Sequence, residues 1–249
     1  SEMCIRDSGG IGFVVWDDIT TNGLHFKKYR LHTKIVLVTT AFLLLSGTLL
    51  FYIIEYNNTM KGMNVGERIL ASLFSATTAR TAGFNSVDTG SLTSASKLLT
   101  CVLMFIGGSP GSTAGGIKTT TIFILVVSLW SGITDRHKTA VFKRRFEDDA
   151  IKKASTVFTL NMFLAIFALF TILAITDLSL SDVMFEVFSA IGTVGMTTGI
   201  TRDLSSAARI IIMVLMFCGR VGSLSFALTF LQGKKDPPVY YPEEEISVG

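Results

Sequence analysis

Two short stretches hold the residue types best suited to handling an ion: Thr81-Ala82-Gly83-Phe84 and Thr193-Val194-Gly195-Met196. Each sets a threonine two positions before a glycine, between long apolar runs. A cation leaving water needs oxygens to replace its hydration shell. Backbone carbonyls of a short extended turn supply them without fixed charge, so binding stays loose enough for release. Glycine lets such carbonyls face an axis because its backbone accepts positive φ. The hydroxyls of Thr81 and Thr193 would add oxygens at the inner end of each turn. A single Thr-x-Gly-x carries no weight. Two of them, each placed after a half-span at membrane depth, point to a pore, because irregular backbone survives there only when buried in protein or lining a wet cavity.

The other chemistry-bearing stretch is Gly107-Gly108-Ser109-Pro110-Gly111-Ser112-Thr113-Ala114-Gly115-Gly116, followed by Ile117-Lys118. It superficially resembles a phosphate-binding loop. Gly111 and Gly116 have the required spacing, but Ile117 intervenes before Lys118, and neither a preceding buried strand nor a Walker B acid is evident. No nucleophile–base set stands out either, since His25, His32 and His137 lie in basic stretches. Cys4, Cys101 and Cys218 form no CxxC, so neither a zinc site nor a disulfide framework is expected. An enzyme is therefore not expected. Arg220 sits in the middle of an apolar run, where a charge is expensive and usually functional.

The elements that must position these residues are readable from the apolar runs. Ile35–Ile54 is free of charge and long enough to cross a bilayer core of roughly 30 Å as a helix. Val65–Thr78 is too short to cross and amphipathic, so it reads as a re-entrant pore helix, with an interfacial helix as the alternative. Leu98–Ile106 and Ile117–Ile133 read as one span broken by the glycine-rich stretch, which cannot hold a continuous helix. Ala154–Thr176 is a second full span, Asp182–Ile191 a second short one, and Ile210–Phe230 a last span containing Arg220.

With 49% hydrophobic and only 16% charged residues in 249, the chain is too apolar for an ordinary soluble domain. The cations collect in Lys27–Lys34, in Arg136–Lys153 and at Lys234-Lys235. That asymmetry places these loops in the cytoplasm. Both Thr/Gly turns then open toward the outer face near Asp88, Asp177, Asp182 and Glu186. Those acids would either concentrate cations or be ordinary solvated loop acids.

An internal repeat organises the whole. Val102-Leu103-Met104-Phe105 recurs as Val214-Leu215-Met216-Phe217, and Thr81 and Thr193 share the same offset of 112 residues. Superposition sets Gly107 on Gly219 and Gly108 on Arg220. Gly9-Gly10 resembles Gly107-Gly108, so an apolar half-span should precede it. Ser1–Ser8 is instead polar and charged, and it is expected to be foreign junction sequence, with earlier repeats missing.

On GGIGF from Gly9, RTAGFN from Arg80, MFIGGSPGSTAGGIKTTT from Met104, GTVGMTTGIT from Gly192 and MFCGRVG from Met216, the chain resembles the C-terminal half of the Trk/Ktr/HKT superfamily of potassium transporters. The resemblance implies an all-α membrane protein with two potassium-channel-like M1-P-M2 repeats, re-entrant pore helices and a broken span in the first repeat. The expected division is 1–8 junction, 9–34 end of a preceding repeat and linker, 35–133 third repeat, 134–153 basic cytoplasmic loop, 154–232 fourth repeat, and 233–249 cytoplasmic tail. It implies K+ translocation, with Thr81–Phe84 and Thr193–Met196 as two of four filter strands and K+ held at Thr81, Gly83, Thr193 and Gly195. Residues 107–116 match the family's loop that obstructs the pore below the filter. By the repeat offset Arg220 faces that loop, where it would bond loop carbonyls and oppose cation flow; Arg220→Ala is expected to raise flux. Lys118 would face the inner vestibule or snorkel to water.

The expected partners, also by resemblance, are membrane lipid, a second copy of the full-length subunit and a cytosolic nucleotide-binding RCK/KTN regulatory ring, in a bacterial inner membrane. No nucleic acid and no cofactor are expected, K+ being substrate and Na+ a possible coupling ion. One glycine per turn, in place of the two in TVGYG, would relax discrimination against Na+. A non-conducting scaffold or pseudo-subunit is the rival class, since two repeats cannot surround an ion alone.

Overall fold

The computed structural model describes residues 11–23, 25–84, 87–112, 114–134, 140–141, 144–145 and 148–222. Residues 1–8, most of the basic loop, Thr113 and the tail lie outside that set. The elements are α1 (Phe13–Asn22), a 3-10 turn at Phe26–Lys28, α2 (Leu31–Glu55), α3 (Val65–Thr78), α4 (Ser94–Phe105), α5 (Thr119–Ile133), α6 (Asp148–Ile175), α7 (Leu180–Ile191), a 3-10 turn at Ile200–Arg202 and α8 (Ser206–Val221). Between α5 and α6, β1 (Ala140–Val141) and β2 (Arg144–Arg145) pair antiparallel. The architecture is otherwise wholly helical among the described residues.

Helix lengths follow the apolar runs. With 25 and 28 residues, α2 and α6 are about 37 and 42 Å long, more than a bilayer core needs. With 14 and 12 residues, α3 and α7 reach only about 21 and 18 Å. The short helices begin at side chains that satisfy otherwise orphaned N–H groups. Asn64 and Glu67 form a reciprocal capping box at α3. Thr93, Ser179 and Ser205 accept from backbone amides at the starts of α4, α7 and α8. Two features go beyond the apolar pattern. Residues 13–22 are helical, and α6 starts at Asp148, ahead of the uncharged run, so its first turns are a polar extension carrying Lys152 and Lys153.

Two clusters hold the helices together. Ala165, Ala168 and Ile172 of α6 meet Val183, Val187 and Ile191 of α7 and Ala208, Ile212 and Leu215 of α8. The small alanines let the helices approach closely. In the other cluster Phe51, Ala76, Cys101 and Met104 surround Phe185, Val194 and Met196, so the second Thr/Gly turn is buried in part by helices of the first half. Outward faces stay apolar: Phe42, Leu45, Leu49 and Ile53 form an exposed stripe on α2, and Phe163, Ile166, Phe167 and Phe170 one on α6. Such stripes would drive aggregation in water and suit lipid.

Glu55, at the end of α2, fixes how the first half closes. Its side chain is 0% exposed. It accepts from Asn58 Nδ2 (2.8 Å), Thr59 Oγ1 (2.8 Å), Thr93 N (3.0 Å) and Thr93 Oγ1 (2.9 Å). One carboxylate therefore ties the turn after α2 to the cap of α4. Glu55→Leu strands these donors, and a loss of roughly 3 kcal/mol is expected. A lowered melting temperature in detergent checks it; an unchanged one removes the anchoring role.

Candidate functional site

Each Thr/Gly turn continues from the end of a short helix, and the two have matching backbones. φ is +68° at Thr81 and +74° at Gly83, against +54° at Thr193 and +85° at Gly195. The residues between them, Ala82 and Val194, keep negative φ. Among the described residues Thr81 and Thr193 are the only non-glycine positions with positive φ. For a β-branched side chain that conformation is strained and persists only where the surroundings impose it.

The turns lie against each other. A Cβ on Gly83 would fall 2.2 Å from the Val194 carbonyl oxygen, so only glycine permits the approach. Of the eight residues singled out, Val194 and Met196 are buried, Gly195 and Phe84 are exposed, and the other four are intermediate. Hydrogen bonds from the helix ends shape both turns. The Thr78 carbonyl accepts from Ala82 N (3.1 Å) and Gly83 N (3.2 Å). The Ser189 carbonyl accepts from Val194 N (2.9 Å), and the Ala190 carbonyl from Thr193 N (3.0 Å).

The glycine-rich stretch is a loop closed at its neck. Gly107 N donates to Ile117 O (2.9 Å) and Ile117 N to Phe105 O (3.2 Å), forming a parallel bridge between Ile106 and Ile117. Gly108, Ser109, Ala114 and Gly115 are buried, Gly111 is exposed, and Pro110, Ser112 and Gly116 are intermediate. Gly115 packs against the second turn, where a Cβ would lie 2.0 Å from Thr193 Oγ1. At its tip the loop meets the GGIGF segment: Ser109 Oγ donates to the Ile11 carbonyl, and Phe13 N donates to Gly111 O (3.5 Å).

Two cations hold the loop's backbone. Lys118 Nζ donates to Ala114 O (2.5 Å), and Arg80 Nη2 donates to Gly107 O (3.4 Å). Arg220, exposed in the last turn of α8, lies within electrostatic range of Lys118. Arg80 stands beside the first turn in the RTAGFN motif, yet its reach to the loop neck is invisible in one dimension.

Of the acids near the turns, Asp177 is exposed, whereas Asp182 and Glu186 have polar partners from other elements or loops. Asp182 pairs with Lys97 at 2.9 Å, joining α7 to α4. Glu186 is only 6% exposed and accepts from Thr197 Oγ1 and from Thr201 Oγ1 (2.8 Å). The sequence reads both as acids that concentrate cations or stay solvated; the helical spacing of Glu186 with Val183 and Ala190 is the signal that it faces inward.

Residues 8–236 match the family model described as TrkH, a cation transport protein. The chain is 37% identical to Ktr system potassium uptake protein B of Bacillus subtilis, over 97% of this chain and 54% of that protein. It is 38% identical to potassium/sodium uptake protein NtpJ of Enterococcus hirae, over 97% of this chain and 55% of that one. It also superposes on the crystal structure of the potassium transporter TrkH from Vibrio parahaemolyticus with a TM-score of 0.74 and 18% identity, covering 93% of this chain and 51% of that one. The chain thus spans about half the length of the relatives it matches.

Proposed function

The chain belongs to the TrkH family of cation transport proteins, transporters of the plasma membrane rather than enzymes, and on that premise we propose that it supplies half of a K+ pathway. Two of four filter strands would come from Thr81–Phe84 and Thr193–Met196. The observation that carries this reading is the pair of matched turns meeting at Gly83 and Val194. In a strand successive residues face opposite sides. Alternating the sign of φ rotates successive peptide planes so that their carbonyls share a side, as an ion-coordinating column requires.

The two M1-P-M2 repeats would be α2, α3 and α4–loop–α5, then α6, α7 and α8, with α3 and α7 as re-entrant pore helices. The loop of residues 107–116 would be the gate: it is closed at its neck, touches Thr193, and is held by Lys118 and Arg80 at its two limbs. Arg220 adds a further positive charge on that side. A second copy of the full-length subunit and an RCK/KTN ring belong to the same reading, with Na+ a candidate coupling ion.

The deciding experiment is complementation of a potassium-uptake-deficient strain with the full-length gene. Growth on low K+ together with Rb+ uptake by the purified, reconstituted protein is expected. A full-length protein that reaches the membrane and moves neither ion overturns the reading in favour of a non-conducting scaffold.

A further inference from the structure

The two turns are matched in backbone but not in what holds them. In the first, Thr78 Oγ1 accepts from Phe84 N (2.8 Å) and donates to Phe84 O (2.5 Å), so the last residue of α3 clamps the far end of the turn. The repeat offset sets Ala190 at the position of Thr78, and alanine has no hydroxyl to do this. One helical turn earlier on α7 stands Glu186, buried and aimed past the end of the second turn. Its Oε1 accepts from Thr197, the residue following Met196, and from Thr201 at 2.8 Å. Thr197 Oγ1 in turn accepts from Gly199 N at 2.9 Å, and the Thr197 carbonyl accepts from Thr89 Oγ1 of the first half.

We propose that Glu186 is the positioning residue of the second filter turn: through Thr197 it fixes the outer end of Thr193–Met196 and, through Thr89, its register against the first turn. The inference rests on the filter reading above. Glu186 and Thr89 are buried, Thr197 is half-buried and Thr201 is exposed, and a buried carboxylate whose donors are fixed in this way holds them in place. A filter strand whose outer end can drift loses the fixed oxygen spacing on which discrimination between K+ and Na+ depends.

Both threonines bond the same carboxylate oxygen, which separates geometry from charge. In the full-length protein in proteoliposomes, the ratio of Rb+ to Na+ uptake is read for the wild type, Glu186→Gln, Glu186→Leu and Thr197→Val. The amide oxygen of Gln can accept both hydroxyls, so Glu186→Gln should keep the wild-type ratio. Glu186→Leu and Thr197→Val should each lower it about tenfold, while the apparent affinity for K+ falls. If Glu186→Leu fails to fold, Thr197→Val decides alone. An unchanged ratio in Thr197→Val overturns the proposal, and so does a Gln variant as impaired as the Leu variant. A wild type that moves no Rb+ overturns the underlying filter reading instead, before any variant is compared.

Discussion

Gly83→Ala in the full-length protein should abolish growth on low K+ and reduce K+ uptake roughly a hundredfold, since each 1.4 kcal/mol accounts for about a factor of ten. Two effects add. Holding alanine at φ +74° costs about 1–2 kcal/mol. The new methyl would then stand 2.2 Å from the Val194 carbonyl oxygen, a contact that forces the neighbouring turn to move. The displaced atom is backbone and cannot swing aside as a side chain would, so the carbonyls of the second turn shift with it. Gly62→Ala is the internal control. Gly62 has φ +92° in the turn before α3, and a methyl there meets nothing within 4 Å. Strain alone should leave uptake near the wild-type level. Near-normal uptake by Gly83→Ala would remove the close approach of the turns as a functional requirement.

Lys118→Met should raise K+ flux about tenfold at equal membrane abundance. A hydrogen bond from an ammonium to a buried carbonyl contributes roughly 1.5–3 kcal/mol, and loss of about 1.4 kcal/mol multiplies the minor, displaced state of a closed loop by ten. The bond in question joins Lys118 to Ala114, on the limb of the loop that touches Thr193 through Gly115. Because Arg220 and Lys118 are like charges that repel, each single change also relieves that repulsion, so Arg220→Ala and Lys118→Met combined should raise flux by more than the product of their separate effects. Flux that stays constant or falls in Lys118→Met would show that the loop does not limit conduction.

The chain's local structure was legible one residue type at a time. The short helix over Val65–Thr78 follows from its amphipathic run and the threonine-glycine turn after it, and the structure has those bounds. The break between Leu98–Ile106 and Ile117–Ile133 follows from glycine and proline content, and the described residues from 106 to 118 are not helical. These features depend on backbone preferences and on hydrogen bonds three or four residues apart, which composition specifies directly.

What only the tertiary structure decided are the pairings between residues far apart in the chain. Glu55 finds Thr93, Lys97 finds Asp182, Thr89 finds Thr197, and Gly83 abuts Val194. By type alone Glu186 and Asp182 pass for solvated loop acids; packing of α7 against α4 gives Asp182 its Lys97 partner, and the fold of the α7–α8 connection brings Thr197 and Thr201 onto the buried Glu186. The repeat offset likewise made the turns equivalent, whereas folding gave one a Thr78 clamp and the other the Glu186 network. The physical reason is that a buried polar group must be satisfied by whichever neighbour the helix packing delivers. That neighbour is set by the crossing of apolar faces, not by distance along the chain.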